Sequence, residues 1–434
     1  MMDATTLGEK CEPLKKDARV EWARLATLQR KIDGGLVTTW TPDNADLEYK
    51  DLLRKASSPW LGFARDVIAQ GCRIDGYDDA EVWQRAWQAN GMDGRQPAIN
   101  REAIGLGKSF ILCQPSDDDG VVMRPLSALN TFAVYEDLLD EYPVQVLARV
   151  GRRKPGQFWN STWLYIDQEA VYRFTGDPAR PENLTVAEHG LDVCPVVLIP
   201  NTLSLDGEPR SSIEPAVPVY QRIVDATFTL EMLQRYGAFP QKWMAGGEIA
   251  KNEDGTPTVR SSVDSLLHAS GVSGETARFG TFEAADLTKA VAALVQHITD
   301  MCAVLQVPTL YFLGPQPNTS ADSIVAGEAS YHRNLADRRL SLGEGYELAL
   351  RTAALILGLD GAAADTSSQV HWDDVATYTL NQVSDSVVKL AAVGAPLEML
   401  FAMIPGWTKQ DVLEAAGEVR ARQAQAAITA PPAA

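Results

Sequence analysis

The sequence predicts an α+β fold, with β-rich segments gathered in one block and long helices on both sides of it. Three observations carry that reading. Before residue 107 and after residue 213, apolar residues return every three or four positions, which lines one face of a helix. Between 109 and 201 the period drops to two, in short runs of β-branched and aromatic residues bounded by turn formers. The chain has 434 residues, 45% hydrophobic and 22% charged. It can bury a sizeable core, but it is too long for one and divides into roughly two to four packed units.

Taken in order, residues 15–35 read as a helix through Val20, Trp22, Leu25, Leu28 and Ile32. A second covers 47–69 through Leu52, Leu53, Trp60, Phe63, Val67 and Ile68, a third 79–90 with Val82, Trp83 and Trp87, and a fourth about 99–107. The runs SFILC, GVVMRP, TFAVYED, PVQVLARV, TWLYID, AVYRFTG and CPVVLIPN then make an antiparallel sheet, so 40–205 forms one α+β domain. Residues 213–236 make a long helix, whose Pro215 and Pro218 fit only in or before its first turn. Residues 239–284 are turn-rich, with NEDGTP as a hairpin-type turn. A second long helix, 286–306, has the apolar stripe Val291, Leu294, Val295, Ile298, Met301, Cys302 and Leu305, and Pro308 stops it. An uncharged loop with Gly314, Pro315, Pro317 and Asn318 follows, then a helix from about Ala321 to Leu357. Thr319 or Ser320 can cap that helix, and Asp322 suits its first turn. Residues 370–373 form a short strand or link, helices fall near 380–393, 396–403 and 408–425, and the tail is expected to be disordered.

The net charge of −18 argues against a protein that grips nucleic-acid phosphates, though a passage that repels DNA fits it. Five cysteines are scattered, odd in number and without a CxxC pair, which points to a reducing compartment and no zinc site. No apolar leader and no 18-residue apolar run occurs, so neither a signal peptide nor a membrane span is expected.

Signatures of catalysis are weak. EAIGLGKS, 102–109, has the outline of a phosphate loop, but Glu102 stands where the motif needs glycine and a helix precedes where a strand should. Gly105 and Gly107 read instead as the end of that helix. No two of His189, His268, His297, His332 and His371 have metal-ligand spacing, and His297 lies beside the 286–306 stripe as a packed or interfacial residue. Arg333 and Asp337 form an i,i+4 pair on a solvated face. Asp117, Asp118 and Asp119 lie in a turn between strands; a solvated loop is the plain reading and a carboxylate metal site the sharper one. The ten tryptophans suit helix cores better than a base-stacking platform.

The order of elements is more informative: an α+β domain, a long helix, a small mixed insert, a second long helix, a loop and a longer third helix. This resembles the portal proteins of tailed bacteriophages, of the siphophage type found among actinobacteriophages. WQANGMDGRQPAINREAIGLGKSFILC is similar to that family's Asn-x-x-Asp, helix, Gly, strand segment, through Asn90, Asp93, Ala103, Gly107 and Phe110. VVMRPLSALNTFAVYED resembles its strand–Pro–strand–Asp segment, with Pro125 and Asp137. GEPRSSIEPAVPVYQRIVDATFTLEMLQRYGAFPQKWMAG looks like the lead into its first stem helix. VPTLYFLGPQPNTSADSIVAGEASYHRNLADRR looks like its tunnel loop and following helix, and 370–412 resembles a C-terminal segment of such proteins.

The resemblance implies a portal fold. By position, residues 1–39 would be an N-terminal helical arm and 40–210 the α+β wing. Residues 211–238 and 286–307 would be stem helices, 239–285 a small α/β clip and 308–320 the tunnel loop. Residues 321–360 would be the long wing helix, 361–425 a short helical wing or crown segment, and 426–434 a disordered tail. It implies a dodecameric ring at one capsid vertex, through which double-stranded DNA is packaged and ejected, with no catalysis, cofactor, metal or membrane. The expected partners are the terminase large subunit, a head-completion or adaptor protein, and the major capsid and scaffolding proteins. The place is the virion, after assembly in the host cytoplasm. The tunnel-loop residues would be Leu310, Tyr311, Phe312, Leu313, Gly314, Pro315, Gln316, Pro317, Asn318, Thr319 and Ser320. Channel-lining residues would be Arg235, Lys289, Gln296 and Asp300; clip contacts would be Asn252, Glu253, Asp254 and Asp264. The alternatives are another ring-forming head–tail adaptor and a metal-dependent enzyme built on Asp117, Asp118 and Asp119.

Overall fold

A computed structural model describes residues 2–35, 47–116, 118–137, 140–151, 162–237, 242–245, 247–248, 270–271, 278–281, 286–314, 321–373, 380–404, 407 and 409–429. The chain opens with helices α1 (Ala4–Ile32), α2 (Leu47–Ala56) and α3 (Trp60–Gln70), strand β1 (Ile74–Tyr77), the single turn α4 (Ala80–Val82) and a π-helical turn, Trp83–Gln88. Helix α5 (Met92–Leu106) leads into β2 (Lys108–Pro115), β3 (Val121–Leu126), β4 (Thr131–Val134), β5 (Gln145–Val150), β6 (Thr162–Ile166), β7 (Ala170–Asp177), β8 (Arg180–Glu188) and β9 (Val196–Pro200). A 3-10 turn at Glu214–Ala216 begins α6 (Val217–Gly237). Short strands β10 (Lys242–Ala245), β11 (Gly247–Glu248), β12 (Ser270–Gly271) and β13 (Arg278–Thr281) separate it from α7 (Leu287–Leu305). Then come α8 (Leu310–Leu313), α9 (Ala321–Ile356), α10 (Asp360–Ala364), β14 (Val370–Trp372), α11 (Leu380–Ala392), α12 (Leu397–Phe401) and α13 (Lys409–Thr429).

Several boundaries differ from the sequence expectation, each for a physical reason. The first helix starts at Ala4 rather than 15, where Asp3 accepts the Thr6 N–H at 2.8 Å. It runs through Pro13 because Leu7, Cys11 and Leu14 bury a stripe on both sides of that residue. The single helix expected over 47–69 is two, since Ser58 precedes Pro59 and is steered away from helical backbone. The fourth helix begins at Met92 and contains Pro97, and the last runs to Thr429, into the stretch read as a disordered tail. Residues 430–434 lie outside the described residues.

The block of strands is two antiparallel sheets, not one, in the orders β3-β2-β9 and β4-β5-β6-β7-β8. The split occurs at 127–130. There the half-buried Glu102 carboxylate accepts from Ser127 Oγ at 2.6 Å and from the Ala128 N–H at 2.5 Å, which turns the chain out of the first sheet. Burial, the largest cause, pushes the Glu102 carboxyl above its ordinary range.

The main core lies where α3, α5 and α9 meet β2 and β9. Tyr346 of α9 is fully buried there, donates to Asn100 at 2.7 Å and meets Trp87 edge-on at 5.5 Å. A second, smaller core forms where Leu7, Cys11 and Leu14 of α1 cover Leu147, Tyr165, Tyr172 and Phe174 of the five-stranded sheet.

Candidate functional site

Helices α6 and α7 pack against each other as an arm rooted in the main core. At the root, Ser211 Oγ donates to the Gly105 carbonyl at 2.6 Å and accepts from the N–H groups of Ile213 and Glu214. Val219, Tyr220, Ile223 and Val224 are buried, and Tyr220 donates to the Ser58 carbonyl at 2.8 Å. Beyond Val224, none of the described side chains of α6 is buried. Helix α7 mirrors this. Ile298, Met301, Cys302 and Leu305 are buried, whereas no side chain from Leu287 to His297 is. Yet the apolar stripe continues, and Leu287, Val291 and Val295 stand 40%, 44% and 40% exposed. The arm therefore carries half of a core that nothing in the same chain completes among the described residues.

The four residues expected to line a channel lie along this arm. Arg235 is exposed near the end of α6. Lys289 is exposed and 3.5 Å from Asp286, which also caps α7 by accepting the Thr288 N–H at 3.0 Å. Gln296 and Asp300 are brought together, with Gln296 Nε2 donating to Asp300 Oδ1 at 2.9 Å. Asp300 also lies 3.9 Å from Arg222 and 4.0 Å from His297 Nδ1. His297 is half-buried beside the stripe. These are surface pairs that orient side chains more than they stabilise the fold.

After α7 the expected loop over 308–320 begins as the helical turn α8. Its Phe312 stacks on Trp60 at 5.8 Å and meets Phe63 edge-on at 5.0 Å. Tyr311 donates to Glu328 Oε1 at 2.9 Å and packs edge-on to Tyr331 at 5.8 Å; Tyr331 in turn donates to the Val67 carbonyl. Burial first, and the Glu328 carboxylate second, push the Tyr311 phenol up to about 12. Helix α8 ends at Gly314, whose φ of 75° is costly for any residue with a Cβ. So Leu310–Leu313 form a packed foot rather than a free loop, while Pro315, Gln316, Pro317, Asn318, Thr319 and Ser320 lie outside the described residues. Sequence reasoning placed Trp60 and Phe63 on a core face and missed their part in this clamp. Their unusual density of rings in one helix was the available signal.

The insert between α6 and α7 pairs β10 with β13 and β11 with β12. Asn252, Glu253, Asp254 and Asp264 fall outside the described residues, as does Asp117. Asp118 and Asp119 are exposed in the turn between β2 and β3, and no group of three metal-ligating side chains occurs among the described residues. Arg333 donates to the Ala329 carbonyl at 3.2 Å instead of pairing with Asp337, in keeping with the weaker basic-before-acidic orientation on a helix. Among the described residues no helix is long and apolar enough to cross a membrane.

The residues carrying the family resemblance have structural duties. Asn90 bonds both ways to the edge of β3, donating to the Val121 carbonyl at 2.8 Å and accepting the Met123 N–H at 2.9 Å. Asp93 accepts from Trp87 Nε1 at 2.7 Å. Gly107, at φ 99°, closes α5 by donating to the Ala103 carbonyl, and a Cβ there would lie 2.8 Å from the Pro209 carbonyl oxygen. Gly105 does not end the helix but sits within its last turn. Ala103 and Phe110 are core residues, and Pro125 pairs with Ile111 across β3 and β2.

A family model described as "Phage portal protein, SPP1 Gp6-like" matches residues 67–428. No curated relative matches the chain. A chain in a solved structure described as "Virion of native gene transfer agent (GTA) particle" aligns with a TM-score of 0.48 and 15% identity, over 87% of this chain and 98% of its own. One from "Neck of native GTA particle computed with C12 symmetry" aligns at 0.47 and 15%, over 87% and 97%. One from "Neck of empty GTA particle computed with C6 symmetry" aligns at 0.48 and 15%, over 84% and 94%.

Proposed function

The chain belongs to the SPP1 Gp6-like phage portal family, and from that premise we propose that copies of it close into a dodecameric ring at one vertex of a capsid. Double-stranded DNA passes through the centre of that ring during packaging and again during ejection. The wing is 40–210 with the long helix 321–360, the stem is 211–238 and 286–307, the clip is 239–285, and 361–425 faces the capsid interior. One observation carries the reading beyond the family: the outer half of the α6–α7 arm keeps an apolar stripe that no other described residue of its own chain covers. A heterologous contact that repeats around a closed ring covers such a stripe on every copy.

The charge fits a passage rather than a grip. Each copy adds −18 to the ring, so the wall as a whole repels phosphates and does not hold the duplex by counterion release. Arg235, Lys289, Gln296 and Asp300 lie on the arm in this reading, and the first two supply scattered cations rather than a continuous clamp. The stretch Leu313–Ser320 contains no charged residue, so a ring of twelve such loops touches the DNA without charge. The aromatic clamp on Tyr311 and Phe312 fixes where that loop starts. No chemistry is assigned to the chain itself. The clip, with Asn252, Glu253, Asp254 and Asp264, meets the terminase large subunit and later a head-completion or adaptor protein, while the wing meets the capsid and scaffolding proteins. The chain then works in the virion, after assembly in the host cytoplasm.

Negative-stain imaging of the purified full chain tests this. Rings with an open centre are expected across a series of concentrations and salt conditions. A monodisperse monomer throughout that series overturns the ring.

A further inference from the structure

Arg338 lies on α9, half-buried against the linker between β9 and α6. Its Nε donates to Ser212 Oγ at 3.0 Å. Ser212 belongs to a closed polar knot: Asn201, fully buried, donates to Ser212 Oγ, to Thr202 Oγ1 and to the Arg210 carbonyl. The neutral knot supplies Arg338 with one hydrogen bond and no counter-charge. Among the described residues no carboxylate lies within ion-pair distance of its guanidinium.

Other half-buried arginines of the chain are better provided for. Arg65 lies 2.8 Å from Asp66, and Arg351 lies 3.6 Å from Glu141. The adjacent Arg339 donates to the carbonyls of Gly71 and Asp373 and stacks over Trp372 at 5.7 Å. Asp337, its neighbour on α9, favours the cation; the linker that carries Ser212 also bears Asp206, Glu208, Arg210 and Glu214. Asp206 is taken by Arg210, and Glu214 lies 3.5 Å from Arg24. Desolvation, the largest cause, lowers the proton affinity of Arg338 from its ordinary value, and the adjacent Asp337 only partly offsets it.

The same place projects an apolar knob. Residues 202–210 form a pinned hairpin: Leu203 bridges to Pro209, Asp206 accepts the Glu208 N–H at 3.1 Å, and Arg210 pairs with Asp206. This order holds Leu203 at 60% exposure and leaves Leu205 fully exposed. A cation set beside ordered, water-facing leucines suits a protein surface. A phosphate backbone would gain nothing from the leucines.

We propose that Arg338 and the 202–210 hairpin form one contact with a second copy of this chain, in which a carboxylate of the neighbour pairs with Arg338 and the neighbour's apolar surface covers Leu203 and Leu205. The contact rests on the ring reading and names one of its interfaces. Charge complementarity favours a second copy as occupant, because each copy has 57 acidic against 39 basic residues and so brings a surplus of carboxylates. It is distinct from the stripe on α7, since it joins the root of the arm and the long helix rather than the outer half of the arm.

The test uses the full-length chain and three variants, Arg338→Met, Arg338→Lys and Leu205→Asp. Thermal unfolding of the dilute protein and the concentration at which rings form in sedimentation velocity are read together. Arg338→Met is expected to leave the unfolding temperature equal or higher, because it removes a half-buried charge with no ion-pair partner among the described residues, while raising the ring-forming concentration at least about tenfold. Arg338→Lys should fall between it and wild type. Leu205→Asp should weaken rings without touching the fold of the single chain. Rings at the wild-type concentration in Arg338→Met, with wild-type rings present, overturn this contact alone. A lower unfolding temperature with unchanged rings makes Arg338 a structural residue and also overturns it. Unchanged rings with weaker, less salt-dependent DNA retention assign the cation to phosphate instead. A wild type that never leaves the monomer overturns the ring reading and this contact together.

Discussion

Replacing Val291 by Asp puts a charge in the middle of the uncovered stripe on α7. In the single chain Val291 is 44% exposed, and its neighbours Leu287 and Val295 are each 40% exposed. Full burial of a Val or Leu side chain is worth about 1.5–3 kcal/mol, so each of these residues keeps about 0.6–1.3 kcal/mol in reserve for a covering surface. Three such residues contribute about 2–4 kcal/mol to each contact between copies. An aspartate at 291 forfeits its own share, and its carboxylate must also be desolvated, which costs about 1–3 kcal/mol more at a partly covered site. The contact then weakens by about 2–4 kcal/mol, or roughly 30- to 1000-fold. The single chain should hardly notice, because an exposed substitution away from a buried feature usually changes stability by less than about 0.5 kcal/mol. The assay is sedimentation velocity over a concentration series, with circular dichroism melting of the dilute protein as the control. Rings from Val291→Asp at the wild-type concentration, with an unchanged melting curve, refute the claim that copies cover this stripe.

Three further outcomes follow from the geometry. Asn90→Leu leaves the Val121 carbonyl and the Met123 N–H without their partner at the edge of β3, and should cost about 1–3 kcal/mol in urea unfolding; a midpoint equal to wild type contradicts that role. Glu102 has a folded-state carboxyl raised above its ordinary 4.5, so its stabilising effect is present below that pH and is lost as pH rises through the raised value. Glu102→Gln, which keeps the acceptor oxygen for Ser127 and Ala128, should therefore melt higher than wild type at pH 7.5, with the gap closing towards pH 4.5. Tyr311 is raised from 10 to about 12, so the stability it lends is present below pH 10 and is lost between 10 and about 12. Comparing tyrosinate absorbance of wild type and Tyr311→Phe should show one phenol missing from that late window, whereas a difference centred near pH 10 means the phenol is neither shielded from water nor bonded to Glu328.

Much of the architecture was legible because it is written locally. The stripe from Val291 to Leu305 defined α7 to within a residue at each end, and Pro215 and Pro218 marked the start of α6. Boundaries failed where tertiary contacts overrode local preference, as at Pro13 inside α1 and in the alanine-rich end of α13. The division into two sheets was not legible. It depends on Glu102, a helix residue whose carboxylate reaches the turn after β3.

The sequence by itself determined the α+β class, the order of long helices around a small insert, the acidic balance and the resemblance to the portal family. These follow from periodicity, composition and chain order, which need no knowledge of what meets what. Only the tertiary structure decided which half of the α7 stripe is covered, that Leu310–Leu313 are a clamped foot, and that Arg338 has no carboxylate in ion-pair reach among the described residues while Arg339 has several partners. The physical reason is distance along the chain. Tyr331 meets Val67, Arg338 meets Ser212 and Tyr346 meets Asn100 across 264, 126 and 246 residues. Burial and pairing at such separations are properties of the packed surface, and no local pattern of residues encodes them.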